Sequence, residues 1–175
     1  MHVRCCDPDL ITAPQYTAST PRGPVSDYLY YDVKIDSVKV NNQTFSIGKV
    51  PQMSLDSRQL YNYVPYEMAK AIAEAYSPPG VESYGQWFVG ACDAIPPTVD
   101  LVIGGKPIRV HEGSMNIIET ENSGNNQCLL PFTAAKFDPA AEDNFYVLGA
   151  SFLQEIVAVV DVSEKMELKF AMRTD

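Results

Sequence analysis

A chain of 175 residues with a formal net charge of −9 is long enough for one domain with its own core. Its acidity, without any cluster of Lys and Arg, argues against a nucleic-acid partner, since phosphate contacts draw their affinity from grouped basic side chains. No apolar run is long enough to span a bilayer, and Asp7, Pro8 and Asp9 make the Met1 end too polar for a secretory signal.

Residues 1–27 carry Pro8, Pro14, Pro21, Gly23 and Pro24 among small polar residues, which predicts an extended tail or linker rather than packed structure. From Tyr28 the pattern becomes short β-branched and aromatic runs. Val33 and Ile35 alternate with Lys34 and Asp36; Val38 and Val40 keep the period of two in the opposite phase, which predicts a bulge near Asp36 or Ser37. A turn at Asn41-Asn42-Gln43 closes a hairpin into Thr44-Phe45-Ser46-Ile47. Asn42-Gln43-Thr44 is also an N-glycosylation sequon, which suits a secretory-pathway protein.

One stretch reads as a main helix: Pro65 suits a first helical position, Met68, Ala71, Ile72 and Ala75 recur at helical spacing, and Pro78-Pro79 ends the run. The rest reads as β. Strands are expected at 87–89, 99–103, 108–110, 116–118 and 128–130, with a Gly104-Gly105 turn and a polar loop at 121–127. The chain closes with strands at 145–148, 156–162 and 166–171 and a helical turn at 151–154. His111, followed by Glu112-Gly113-Ser114, is expected on a surface loop, because neighbours on a strand point to opposite faces and form no relay. Asp161 is expected to be a turn carboxylate. No zinc, calcium or phosphate-loop spacing is present, and no cofactor is expected.

Asp56-Ser57-Arg58-Gln59 is followed by Leu60-Tyr61-Asn62-Tyr63-Val64-Pro65, which leads into the helix. With this loop, and in colinear order over roughly residues 28–171, the chain resembles the C-terminal lobe of a pepsin-like aspartic protease, the tetrapeptide standing where that family has Asp-Ser/Thr-Gly-Thr/Ser. Tyr30 to Val40 is similar to the stretch that opens the lobe, Tyr146 to Leu153 to its Leu-Gly-Asp-x-Phe-Leu segment, and Ala158 to Asp161 to its Val-Phe-Asp segment. The resemblance implies a mainly β, single acid-protease lobe at 28–175 with one main helix, and makes 1–27 a tail or former interlobe linker. It places Cys92 and Cys128 at a disulfide position, with two buried free thiols as the alternative. Cys5 and Cys6, being adjacent, are not expected to pair with each other.

Family chemistry uses two carboxylates sharing one proton, so that acid and base are supplied together. This chain offers one such loop. Arg58 occupies the glycine position and adds a fixed charge beside Asp56, Gln59 replaces a small hydroxyl residue, and Ala150 replaces a frequent aspartate. Ser57 is retained in a structural role. The resemblance with these departures predicts a pseudoprotease: no peptidase activity, Asp56 vestigial or reused, and a ligand or partner held by Arg58, Gln59, Tyr61 and Tyr63 in the former cleft. An inert turn is the competing expectation. A repurposed enzyme acting on a small organic substrate as an isomerase, cyclase or lyase, and one half of a heterodimer, are the alternatives. A homodimer or separate partner lobe is expected through Tyr28 to Tyr31, with a small molecule or peptide as ligand and the secretory pathway or the exterior as location.

Overall fold

A computed structural model describes residues 12–19, 32–45, 52–83, 87–110, 112–115, 118–119, 127–135, 146–160 and 167–172. Tyr28 to Tyr31, His111, Asp161, Cys5 and Cys6 lie outside them, as does the expected boundary near residue 28.

Among the described residues, short strands make up four sheets around an apolar core that runs from Val33 to Phe170. The sheet that carries the candidate site is five-stranded, in the order β13 (Phe132–Ala134), β6 (Asn62–Val64), β14 (Tyr146–Leu148), β5 (Gln52–Leu55), β2 (Asp32–Lys34). Here β14 runs parallel to β5 and antiparallel to β6, while β13 runs parallel to β6. Parallel neighbours cannot be joined by tight turns. The loop from β5 to β6 is thus threaded beside strands that arrive from the far end of the chain.

The phase change in the first strands marks a change of sheet rather than a bulge. β2 pairs with β5, whereas β3 (Ser37–Val40) pairs with β9 (Val99–Ile103). Val33, Ile35, Val38 and Val40 are all buried because each sheet presents its own face to the common core. Asp36 fixes the crossing: its N–H donates to the Val102 carbonyl (2.7 Å) and its carboxylate accepts from Gly105 N–H (2.8 Å).

Two hairpins follow the expected turn chemistry. β3 and β4 (Gln43–Phe45) are joined by Asn41 and Asn42, with φ of 49° and 65°, and β9 and β10 (Lys106–Val110) by Gly104 and Gly105, with φ of 58° and 75°. Two-residue hairpin loops of this left-handed kind match strand twist and favour Asn and Gly. The β10-β9-β3-β4 sheet thereby leaves β4 as an outer strand.

The main helix α1 spans Tyr66–Glu74, with Pro65 at its N-cap and Ala75 at its C-cap. Met68, Ala69, Ile72 and Ala73 are buried, so its apolar stripe packs against the core, chiefly on β13 and on β8 (Trp87–Ala91). β8 lies between β7 (Val81–Ser83) and β12 (Gln127–Leu129), with β11 (Ile118–Glu119) beyond. Buried Tyr76 donates its phenol hydrogen to the Met115 carbonyl (2.9 Å), tying the end of α1 to a 3-10 turn at Glu112–Met115; burial pushes this phenol's pKa up.

The last sheet orders β1 (Thr12–Ser19), β16 (Glu167–Met172) and β15 (Ile156–Val160). Proline-rich 1–27 therefore contains an extended segment hydrogen-bonded to β16, with an irregular register between Thr12 and Tyr16. Pro14 falls in that irregularity, where a residue without an N–H is tolerated on an outer strand.

Cys92 and Cys128 are disulfide-bonded, with Cα atoms 5.1 Å apart. Among the described residues no helix is long and apolar enough to cross a membrane.

Candidate functional site

Asp56 stands immediately past the carboxyl end of β5, where its N–H continues the parallel ladder by donating to Leu148 O on β14 (3.1 Å). The chain then turns back through Ser57 and Arg58, and Gln59 N–H donates to Asp56 O (3.1 Å). A tight turn of this kind brings residue i+2 over the side chain of residue i. Arg58 N–H donates to Asp56 Oδ1 (2.9 Å), and the guanidinium adds Nε to Oδ1 (3.2 Å) and Nη2 to Oδ2 (3.4 Å). Both carboxylate oxygens are therefore engaged by a single residue.

The two partners differ in exposure. The Asp56 side chain is 13% accessible and that of Arg58 is 84% accessible. Hydrogen bonds from the guanidinium, followed by the Arg58 backbone N–H, hold the Asp56 carboxyl below the usual carboxylate range, against a smaller upward push from desolvation. Ser57 and Gln59 present exposed side chains in the same turn.

The turn is held from beneath by residues whose role the sequence did not reveal. Gln59 O accepts from Ala150 N–H (2.7 Å) and Leu60 O accepts from Ser151 N–H (3.2 Å), so the start of a short helix, α2 (Ala150–Leu153), is stitched to the loop. Asn62, fully buried, accepts from Gly149 N–H (2.9 Å) and donates through Nδ2 to Ser151 Oγ (2.8 Å) and Pro131 O (3.4 Å). A buried carboxamide satisfied on both ends locks three segments together.

Tyr61 and Tyr63 flank Asn62 and, by the two-residue period, face away from it. Both are half-buried. The Tyr61 phenol is pushed up by burial and, secondarily, by Tyr63 nearby. The loop thus gathers Asp56, Ser57, Arg58 and Gln59, and the two tyrosines follow on its exit strand. Asn62 shares its phase with buried Val64, but the Tyr-Asn-Tyr alternation alone does not say which face is inward.

On the neighbouring strand a second carboxylate is committed elsewhere. Asp32, opposite Ser54 across the β2–β5 ladder, accepts the Ser54 hydroxyl hydrogen (2.5 Å). Among the described residues, no three His, Cys, Asp or Glu side chains are grouped so as to hold a metal ion.

The site thus sets an aspartate at the end of β5, a return loop, and a parallel neighbour, β14, that reaches Leu148-Gly149 beside it. The model of the eukaryotic aspartyl protease family matches residues 11–173. The chain belongs to that family. It is also 31% identical over 154 residues to a probable aspartic-type endopeptidase of Aspergillus fumigatus, a match covering 86% of this chain and 34% of the relative. The chain spans about a third of that relative's length and forms a single pepsin-like lobe whose mainly β fold, main helix and Cys92–Cys128 bond agree with the expectations drawn from the resemblance. The family and the disulfide are both compatible with the secretory pathway.

Proposed function

We propose that this aspartyl-protease lobe does not hydrolyse peptides through Asp56 and instead uses the Asp56–Gln59 turn to hold a ligand or a partner lobe. The Arg58 fork on both oxygens of Asp56 carries the reading. Peptide hydrolysis by this family's chemistry needs a carboxylate that exchanges a proton with water and substrate near its working pH. Here the guanidinium favours the ionised form and hydrogen-bonds both oxygens that would exchange that proton. Arg58, mostly exposed, keeps the cationic side of this ion pair at the surface of the turn, a charge to which carboxylate or carbonyl groups are attracted.

That the matched segment is 34% of the relative supports pairing with a further lobe, in the same polypeptide or a separate one. The decisive experiment incubates the purified chain with denatured protein substrates from acidic to neutral pH, beside an Asp56→Ala variant. Neither protein is expected to cleave. Pepstatin-sensitive cleavage by the parent that vanishes in the variant overturns the proposal.

A further inference from the structure

We propose that Asn42 carries an N-linked glycan, attached at the tip of the β3–β4 hairpin beside an outer strand. Asn42-Gln43-Thr44 is the chain's one Asn-x-Ser/Thr sequon, and the fold treats its two asparagines differently. Asn41 is built into the structure: its N–H donates to Thr98 O (2.9 Å) and its Oδ1 accepts from Thr98 N–H (3.0 Å). Asn42, next to it, is exposed at the turn apex with φ of 65°, and its carboxamide has no hydrogen-bond partner among the described residues. Thr44, whose hydroxyl the acceptor motif requires, is exposed as well. A bulky substituent on Asn42 Nδ2 therefore displaces nothing in the core.

The Cys92–Cys128 bond supplies the independent second observation. It implies folding in an oxidising compartment, which is also where lipid-linked oligosaccharide is available. In the transfer, Asn42 Nδ2 forms a bond to the anomeric carbon of the oligosaccharide, the carbon–oxygen bond to the lipid pyrophosphate breaks, one amide proton passes to a base, and no redox change occurs. The site also meets a physical need. β4 offers Gln43, Thr44 and Phe45 to solvent, Phe45 at 38% accessibility, and among the described residues it is the outermost strand of its sheet. A hydrated glycan at the tip obstructs edge-to-edge association there.

The test expresses the chain behind a secretory leader in a eukaryotic host and measures intact mass in the microsomal and secreted fractions before and after peptide N-glycosidase, with alkylation confirming the disulfide. Excess mass removed by the enzyme, with conversion of Asn42 to aspartate in the corresponding peptide, is expected. It is lost in Asn42→Gln and Thr44→Ala and kept in Thr44→Ser. Disulfide-bonded chain at its unmodified mass in both fractions, or a glycan that persists in Asn42→Gln, overturns the proposal.

Discussion

Arg58 bears on the chemistry open to Asp56 because it sits two residues away in a tight turn, from which its backbone N–H and its guanidinium both reach the carboxylate. A glycine there would keep the backbone N–H bond to Oδ1 and remove both guanidinium bonds, leaving Oδ2 to water or substrate. The depressed Asp56 pKa has a definite consequence for acid behaviour. Since the folded value lies below the ordinary 3.8, the pair contributes stability above that pH and loses it as pH falls through the folded value. Arg58→Ala should raise the carboxyl toward the ordinary range, the backbone N–H of residue 58 still holding it partly down, followed by its carboxyl-carbon chemical shift in an NMR titration. The same substitution should lower stability at neutral pH and make little difference at the acid end of the titration. An unchanged Asp56 midpoint would show that the guanidinium does not govern this carboxylate.

Among the elements, the contact between the Asp56 loop and the start of α2 is one that a single methyl group can break. A Cβ on Gly149 would lie 2.2 Å from Tyr61 O and 2.7 Å from Gln59 O, both backbone atoms that cannot rotate away. Gly149 is required by this close approach, since its backbone is extended (φ −90°) and open to any residue. Gly149→Ala should therefore separate α2 from the loop and cost about 2–4 kcal/mol, in the range of overpacking without relief. Urea denaturation measures it, and a loss under about 1 kcal/mol would mean that the two segments part easily. The main helix and the expected strands, as far as the described residues cover them, were legible at this scale because each carries its own period and turn residues; 116–117 and 161–162 lie outside those residues. β5, β6 and β13 were not, being three or four residues long and recognisable only by their neighbours.

For the whole molecule, Cys92–Cys128 closes a 36-residue separation that contains the β9–β10 hairpin and the 3-10 turn. Its main effect falls on the unfolded ensemble, where a loop of this size corresponds to about 3–4 kcal/mol. Replacing both cysteines with alanine should lower Tm by about 10 °C for a chain of this length. Differential scanning calorimetry of parent and double variant reads the shift, and coincident transitions would show that the bond does not constrain the unfolded chain. The double variant should keep its fold, as Leu130, Phe88 and the α1 face remain packed around the site of the bond.

Local sequence determined what depends on a few adjacent residues: the Asn41-Asn42 and Gly104-Gly105 turns, the α1 stripe, the Asp56-Ser57-Arg58-Gln59 turn and the colinear resemblance that names the family. Tertiary structure alone decided what depends on distant partners. The same alternation of valines fits a bulge or a change of sheet, and only the pairing of Asp36 with Val102 and Gly105 chooses between them. Tyr-Asn-Tyr likewise fits two faces equally well, until Gly149, Ser151 and Pro131 converge on Asn62 and draw it inward. A buried polar group is stable only where its partners are already in place, and those partners lie 69 to 89 residues away along the chain.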